Sequence, residues 1–148
     1  MRLPKYEITP NEDYTSYEFF STGGENNIRK MIVFTEAVRD PVLIYNLAFG
    51  DIVEETGDID DAIVSNNQDR DKVLATVASS IHEFCDKHGN HLIYAKGSTD
   101  VRTRLYQMSI SRNFEEIRKE FDIRGLRNNG WESFQKNVNY EAFIANRL

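Results

Sequence analysis

Apolar and aromatic positions in the first half of the chain fall in short runs separated by turn chemistry, the pattern of strands and not of helices. Tyr14 to Ser21 is rich in Tyr, Phe and Thr, and Gly23-Gly24 followed by Asn26-Asn27 interrupts it, which predicts a strand and a loop. Ile28 to Thr35 is the next strand, paired with the first as a hairpin. Val42-Leu43-Ile44-Tyr45-Asn46-Leu47-Ala48-Phe49 is almost continuously apolar over one strand length, as expected of a central strand covered on both faces, with Gly50-Asp51 ending its core. Glu54-Glu55-Thr56-Gly57 then supplies a turn and Ile59 to Ser65 the returning strand of a second hairpin.

From Asp69 the apolar period lengthens from two to 3.6. Val73, Val77 and Ile81 recur every fourth residue with Leu74, Ala78 and Phe84 beside them, which predicts a helix from about Asp69 to Lys87, capped by Asp69 or Asn67 and ended by Gly89. His91 to Lys96 is a strand. Gly97-Ser98-Thr99 opens a second helix carrying Val101, Leu105 and Met108 on one stripe, and Phe114, Ile117 and Phe121 suggest a third. The tail returns to strands at Ile123–Leu126, Trp131–Phe134 and Tyr140–Ala145, with Asn128-Asn129-Gly130 as a turn. The reading is an α+β fold: an antiparallel or mixed sheet of six to eight strands with two or three helices packed on it, in the order β-β-β-β-α-β-α-β-β. The fourth strand, first helix and fifth strand are expected to form a right-handed parallel crossover. No repeat or linker divides residues 1–148, so one domain is expected.

Composition narrows the partners. Twenty-four acidic residues against 18 basic ones give a formal charge of −6, whose average field repels phosphate backbones and anionic membranes, so nucleic acid is not an expected partner. The lone Cys85 has no partner for an intramolecular disulfide, there is no Cys/His cluster at zinc spacing, and no apolar run approaches membrane-spanning length. A cytoplasmic location without a membrane anchor is the expectation.

Two junctions concentrate groups suited to anions. Lys96-Gly97-Ser98-Thr99-Asp100-Val101-Arg102-Thr103-Arg104 puts a glycine turn, hydroxyls and cations where a strand passes into a helix, and the free amides and dipole of such a start attract phosphate or carboxylate. Asn66 to Lys72 is a second polar strand-to-helix junction. Ligands of α/β sheets gather beyond the carboxyl ends of parallel strands, so the two junctions could form one pocket. The candidate ligand-binding residues are Lys72, Lys96, Ser98, Thr99, Arg102 and Arg104, with Asn67, Asp69, Arg70 and Tyr106 as secondary candidates. The plainer alternative is that Ser98 or Thr99 is simply a helix cap and the arginines pair with nearby acids. Asp51, Glu54, Glu55, Asp58, Asp60 and Asp61 lack calcium-loop spacing, and alternation would scatter them over two faces, so no metal site is expected. His82, His88 and His91 cluster without an evident nucleophile. Cys85 reads as a small core residue, and Trp131 as packing.

Four phrases run across nearly the whole chain: Tyr45-Asn46-Leu47-Ala48-Phe49-Gly50-Asp51, Asp69 to Val77, Gly97-Ser98-Thr99 with Arg102, Arg104 and Tyr106, and Asn139-Tyr140-Glu141-Ala142-Phe143. Together they resemble an uncharacterised bacterial family of short stand-alone proteins, a domain of unknown function; the resemblance implies no particular activity or cofactor. The element order is also similar to that of the acetyltransferase fold, which would put coenzyme A at Gln68 to Lys72 and make Tyr106 a candidate acid. That family's loop is glycine-rich, whereas Asp69-Arg70-Asp71-Lys72 carries two carboxylates that repel a pyrophosphate, and its two early helices have no counterpart between Ser21 and Ile28. Three function classes follow: binding of a small anionic ligand such as a nucleotide or coenzyme, a protein-interaction module such as a toxin–antitoxin or phage-defence component, and an acyltransferase-like enzyme.

Overall fold

A computed structural model describes residues 3–24, 27–52, 59–60 (backbone only) and 69–148. Its described elements are β1 (Thr9–Pro10), β2 (Ser16–Ser21), β3 (Ile28–Val38), β4 (Ile44–Ile52), β5 (Ile59–Asp60), α1 (Arg70–His88), β6 (Leu92–Ala95), α2 (Asp100–Arg112), α3 (Phe114–Ile117), β7 (Phe121–Arg127), β8 (Gly130–Ser133) and β9 (Ala142–Arg147). The strands form one mixed sheet in the order β1-β2-β3-β4-β6-β9-β7-β8, with β5 beside the far end of β4. This is the expected α+β class, with the two-residue β1 and β5 raising the strand count among described residues to nine.

Register shows why one side of the sheet takes the helices. Tyr17 pairs with Ile32 and Phe19 with Lys30, while Phe34 pairs with Leu47 and Ile32 with Phe49, so alternate residues of β2, β3 and β4 point one way. Ile93, Ala145 and Ile123 continue that row across β6, β9 and β7. Phe84 of α1 lands on it, stacked on Phe34 at 4.3 Å between centroids and edge-on to Tyr45 at 4.8 Å. Such pairs add about 0.5–1.5 kcal/mol each to the area they bury. Ile117 of α3 joins the same core. The reverse face carries Phe20, Arg29, Met31, Tyr94 and Trp131, and among the described residues no helix covers it.

Several boundaries differ from the sequence reading. β4 runs through Gly50 and Asp51 to Ile52, because Met31 and Lys30 of the long β3 keep pairing with them. The parallel partner of β6 is β4, not the hairpin return: Ile44 to Asn46 pair with Leu92 to Tyr94, whereas Ile59–Asp60 lies antiparallel to Asp51–Ile52. The remainder of the expected strand, residues 61–65, lies outside the described residues. The stripe on α2 faces largely the other way: Val101 and Met108 are 64% and 46% exposed, while Arg102, Thr103, Gln107 and Ser109 are buried. Gln107 finds its partners at a distance, donating to the carbonyl of Val138 and accepting from the Tyr140 amide, whereas Thr103 is satisfied locally by Gly97 and Thr99.

Candidate functional site

Both long helices start at one rim of the sheet. The parallel ladder of β4 and β6 ends at Asn46 and Tyr94; β6 then passes toward α2, while β4 runs on to Ile52 and β5 precedes α1 in the chain. Asp69, before α1, bonds Ser21 at the end of β2, which fixes that start beyond the carboxyl end of β4. Positions of this kind collect ligands in sheets with parallel strands, because unpaired helix amides and strand-end side chains converge there.

The start of α2 is closed by its own residues. Thr99 is extended at φ −135° and its hydroxyl accepts from the Arg102 amide at 3.2 Å. The Thr99 carbonyl accepts from the Thr103 amide at 3.0 Å, and the Thr103 hydroxyl accepts from the Gly97 amide at 3.1 Å. A Cβ at Gly97 would lie 2.5 Å from the Thr103 nitrogen, so this glycine lets strand end and helix backbone touch. Lys96 and Ser98 are exposed and outside both hollows described below, and Arg104 projects outward to donate to Asn139 at 3.2 Å. Arg102 is buried, 6% exposed.

The start of α1 is built differently. Asp69 stands at the cap position and its carbonyl accepts from Val73 at 2.8 Å, but its carboxylate makes no cap bond. It instead accepts from the Tyr6 hydroxyl at 2.6 Å and the Ser21 hydroxyl at 2.5 Å. The side-chain cap expected from the sequence is thus replaced by a tie between helix, sheet and amino-terminal segment, and Asn67 lies outside the described residues. Tyr6 also donates its amide to Thr76, and Lys72 Nζ sits 4.1 Å from the Tyr6 ring centre. Lys72, Arg70 and Arg112 border an outer hollow of about 740 Å³ together with Leu3, Pro4 and Thr22. Asp71 on the same turn is held by Asn113 at 2.9 Å and by Arg112 at 3.4 Å.

Between α1 and α2 lies an inner cleft of about 220 Å³ whose floor is the sheet. Val73, Leu74, Val77 and Ala78 line it from α1, and Leu105, Tyr106, Ser109 and Ile110 from α2. Leu47, Phe49, Ile93, Ala95, Phe143 and Ala145 form the floor, and Ile117, Phe121 and Ile123 complete the wall. Its charged residues all belong to the rim: Lys30, Asp69, Arg70 and Arg102. Lys30 is 5% exposed, reaches Asp51 at 2.5 Å and lies 5.4 Å from the Phe49 ring centre. Cations beside an apolar, poorly hydrated wall interact more strongly with an anion than they would in open water.

Of the residues singled out from the sequence, Arg102, Tyr106, Asp69 and Arg70 therefore meet around the inner cleft, and Lys72 faces the outer hollow, with Asp69 and Arg70 bordering both. Lys30 was not among them, although its place in the alternating row of Lys30, Ile32 and Phe34 marks it as an inward-pointing lysine. The histidines lie elsewhere: His82 meets Glu120 at 2.8 Å, His88 bonds the carbonyl of Asp13 and His91 that of His88. Cys85 is buried, and desolvation raises its thiol pKa, which disfavours the nucleophilic thiolate. Among the described residues no group of three or more His, Cys, Asp or Glu side chains could hold a metal ion; Glu54, Glu55, Asp58, Asp61 and the side chain of Asp60 lie outside them. No helix among the described residues is long and apolar enough to cross a membrane.

No curated protein and no solved structure matches this chain. A sequence model does, over residues 2–148, and the chain belongs to that family, described as a Family of unknown function (DUF6934).

Proposed function

We propose that the protein binds a small anionic ligand, of the nucleotide or coenzyme class, at the rim where α1 and α2 begin. The observation that carries this reading is that Arg70 and Arg102, from the two separate helix starts, border one cleft together with Lys30. Arg70 and Arg102 would contact the anion and Tyr106 would offer a hydroxyl, with Lys72 and Arg112 extending the positive surface into the outer hollow. Thr99 and Arg104 act at most indirectly, since their described contacts serve the α2 cap and the loop that carries Asn139, and Lys96 and Ser98 border neither hollow.

Thermal unfolding with nucleotides, coenzyme A and phosphosugars tests it. A ligand present at a hundred times its dissociation constant stabilises by about 2.7 kcal/mol, which for a domain of this size raises Tm by roughly 5–10 °C. Arg70→Glu should abolish the shift. No shift with any of these compounds would remove the reading.

The uncovered face of the sheet supports a second one, a protein-interaction module. Phe20 is 51% and Trp131 39% exposed on that face, and apolar surface left bare in a sheet often marks a binding surface. Capture of one stoichiometric partner that is lost with Trp131→Glu and kept with Arg70→Glu would favour this reading over the first.

A further inference from the structure

We infer that the ligand of the inner cleft is an amphipath: a linear acyl chain of medium length bearing an anionic head. The inference rests on the anion-binding reading above and adds to it what the cleft behind the rim would take. Protein interiors leave few voids larger than a water molecule. An apolar cavity of about 150 Å³ already takes up a benzene-sized guest, and this cleft has about 220 Å³. At about 30 Å³ for each water-sized unit, it holds roughly seven methylene-sized groups.

The distribution of chemistry in the cleft matches such a molecule. Lys30, Arg70 and Arg102 stand with the Asp69 carboxylate at the rim where α1 and α2 begin, three cations to one anion. Phe121, by contrast, opens β7 level with Arg147, two residues beyond the Ile123–Ala145 pair that adjoins Ile93, and so lies toward the opposite rim. Charge at one end and apolar walls leading away from it fit a carboxylate or phosphate head with a hydrocarbon tail. Inorganic phosphate would leave the walls formed by Val73, Val77 and Ile110 unused. The head can come from a free carboxylate or from the phosphates of an acyl-coenzyme A, and the same chain fits behind either.

Calorimetric titration of the whole chain separates these cases, using acetate, hexanoate, octanoate, dodecanoate, octanol, ATP, coenzyme A and octanoyl-coenzyme A. Affinity should rise roughly fourfold for each added methylene up to about octanoate and then level off, and octanoate should bind at least tenfold more tightly than octanol. Octanoyl-coenzyme A binding more tightly than both octanoate and coenzyme A would support the inference and assign the head to the coenzyme. Coenzyme A or nucleotides binding while octanoate and the octanoyl chain add nothing would overturn the inference and leave the anion reading standing. Octanol binding as tightly as octanoate, with no other anion bound, would overturn the anionic head in both. Absence of binding by every compound would overturn both. Ala78→Phe, which fills the cleft from α1, should remove the gain from the chain and spare the affinity for the head alone; should that variant fail to fold, the chain-length series decides alone.

Discussion

The two helix starts are written in nearly the same local code and are used in opposite ways. Each follows a strand, each has a residue suited to capping and each has cations within a few positions. At α2 the capping bonds stay within seven residues: the Thr99 hydroxyl accepts from Arg102, the Thr103 hydroxyl accepts from Gly97, and the glycine exists for contact between backbones. At α1 the carboxylate of Asp69 turns away to residues 63 and 48 positions earlier, and Arg70 borders both hollows. A start that satisfies itself is a structural joint; one whose cap is drawn elsewhere leaves its first turn facing the cleft. The motif that looks most like an anion site in sequence therefore spends its hydroxyls on the joint and gives the cleft only Arg102 from its first turn, while the less distinctive one borders both hollows.

The largest effect expected from breaking this contrast is at Asp69. Asp69→Ala removes an acceptor shared by two hydroxyls, and since hydrogen bonds to charged groups contribute about 1.5–3 kcal/mol each, it should cost about 3 kcal/mol in denaturant unfolding. Hydrogen exchange at the Tyr6 amide, which donates to Thr76, should accelerate as the amino-terminal segment detaches. Protection that stays unchanged would show that the tie is not what holds this segment.

Next comes Gly97→Ala. Its Cβ would meet backbone atoms at 2.5–2.8 Å, and overpacking of this kind costs about 2 kcal/mol. Loss of stability with ligand binding intact is expected; loss of binding at full stability would make the glycine part of the site after all. A smaller change follows from Thr99→Ala, about 1 kcal/mol for a lost cap, with Thr99→Ser recovering most of it.

Acid provides the mildest probe and a control, because Glu18 and Glu132, carboxylates held below their usual range, lie away from both starts. Glu18 is held below the usual carboxylate range by its hydrogen bond with Arg29, and Glu132 by those from Arg127 and Tyr140. Their folded pKa values are depressed, so their contribution is present above the unfolded value near 4.3 and is lost as pH falls through the folded ones. Stability should decline below about pH 5, and Glu132→Gln should flatten the decline without altering ligand affinity at neutral pH.

How much of this was legible depended on whether the deciding partner is near in sequence. The face of α1 follows from a period of 3.6, which is local, and was readable; the one-sided cover of β4 was not, because the almost continuous apolar run from Val42 to Phe49 reads as a strand covered on both faces. The exposed Val101 and Met108 were misleading because Arg102 and Gln107 occupy the inner face of α2, and Gln107 is satisfied by Val138 and Tyr140, more than thirty residues away. The tie at Asp69 was hidden for the same reason. The cleft depends on the spacing between α1 and α2, which no local pattern encodes, although the inward position of Lys30 was there to be noticed.

The account stands most directly on whether the cleft between α1 and α2 takes up a ligand by its rim. Titrating isotope-labelled protein with octanoate and following amide and methyl resonances should move Val73, Val77, Leu105 and Ile110 together with the Arg70 and Arg102 side chains, saturably and with one dissociation constant. Resonances that stay in place there, or shifts confined to Phe20 and Trp131 on the far face of the sheet, would contradict it.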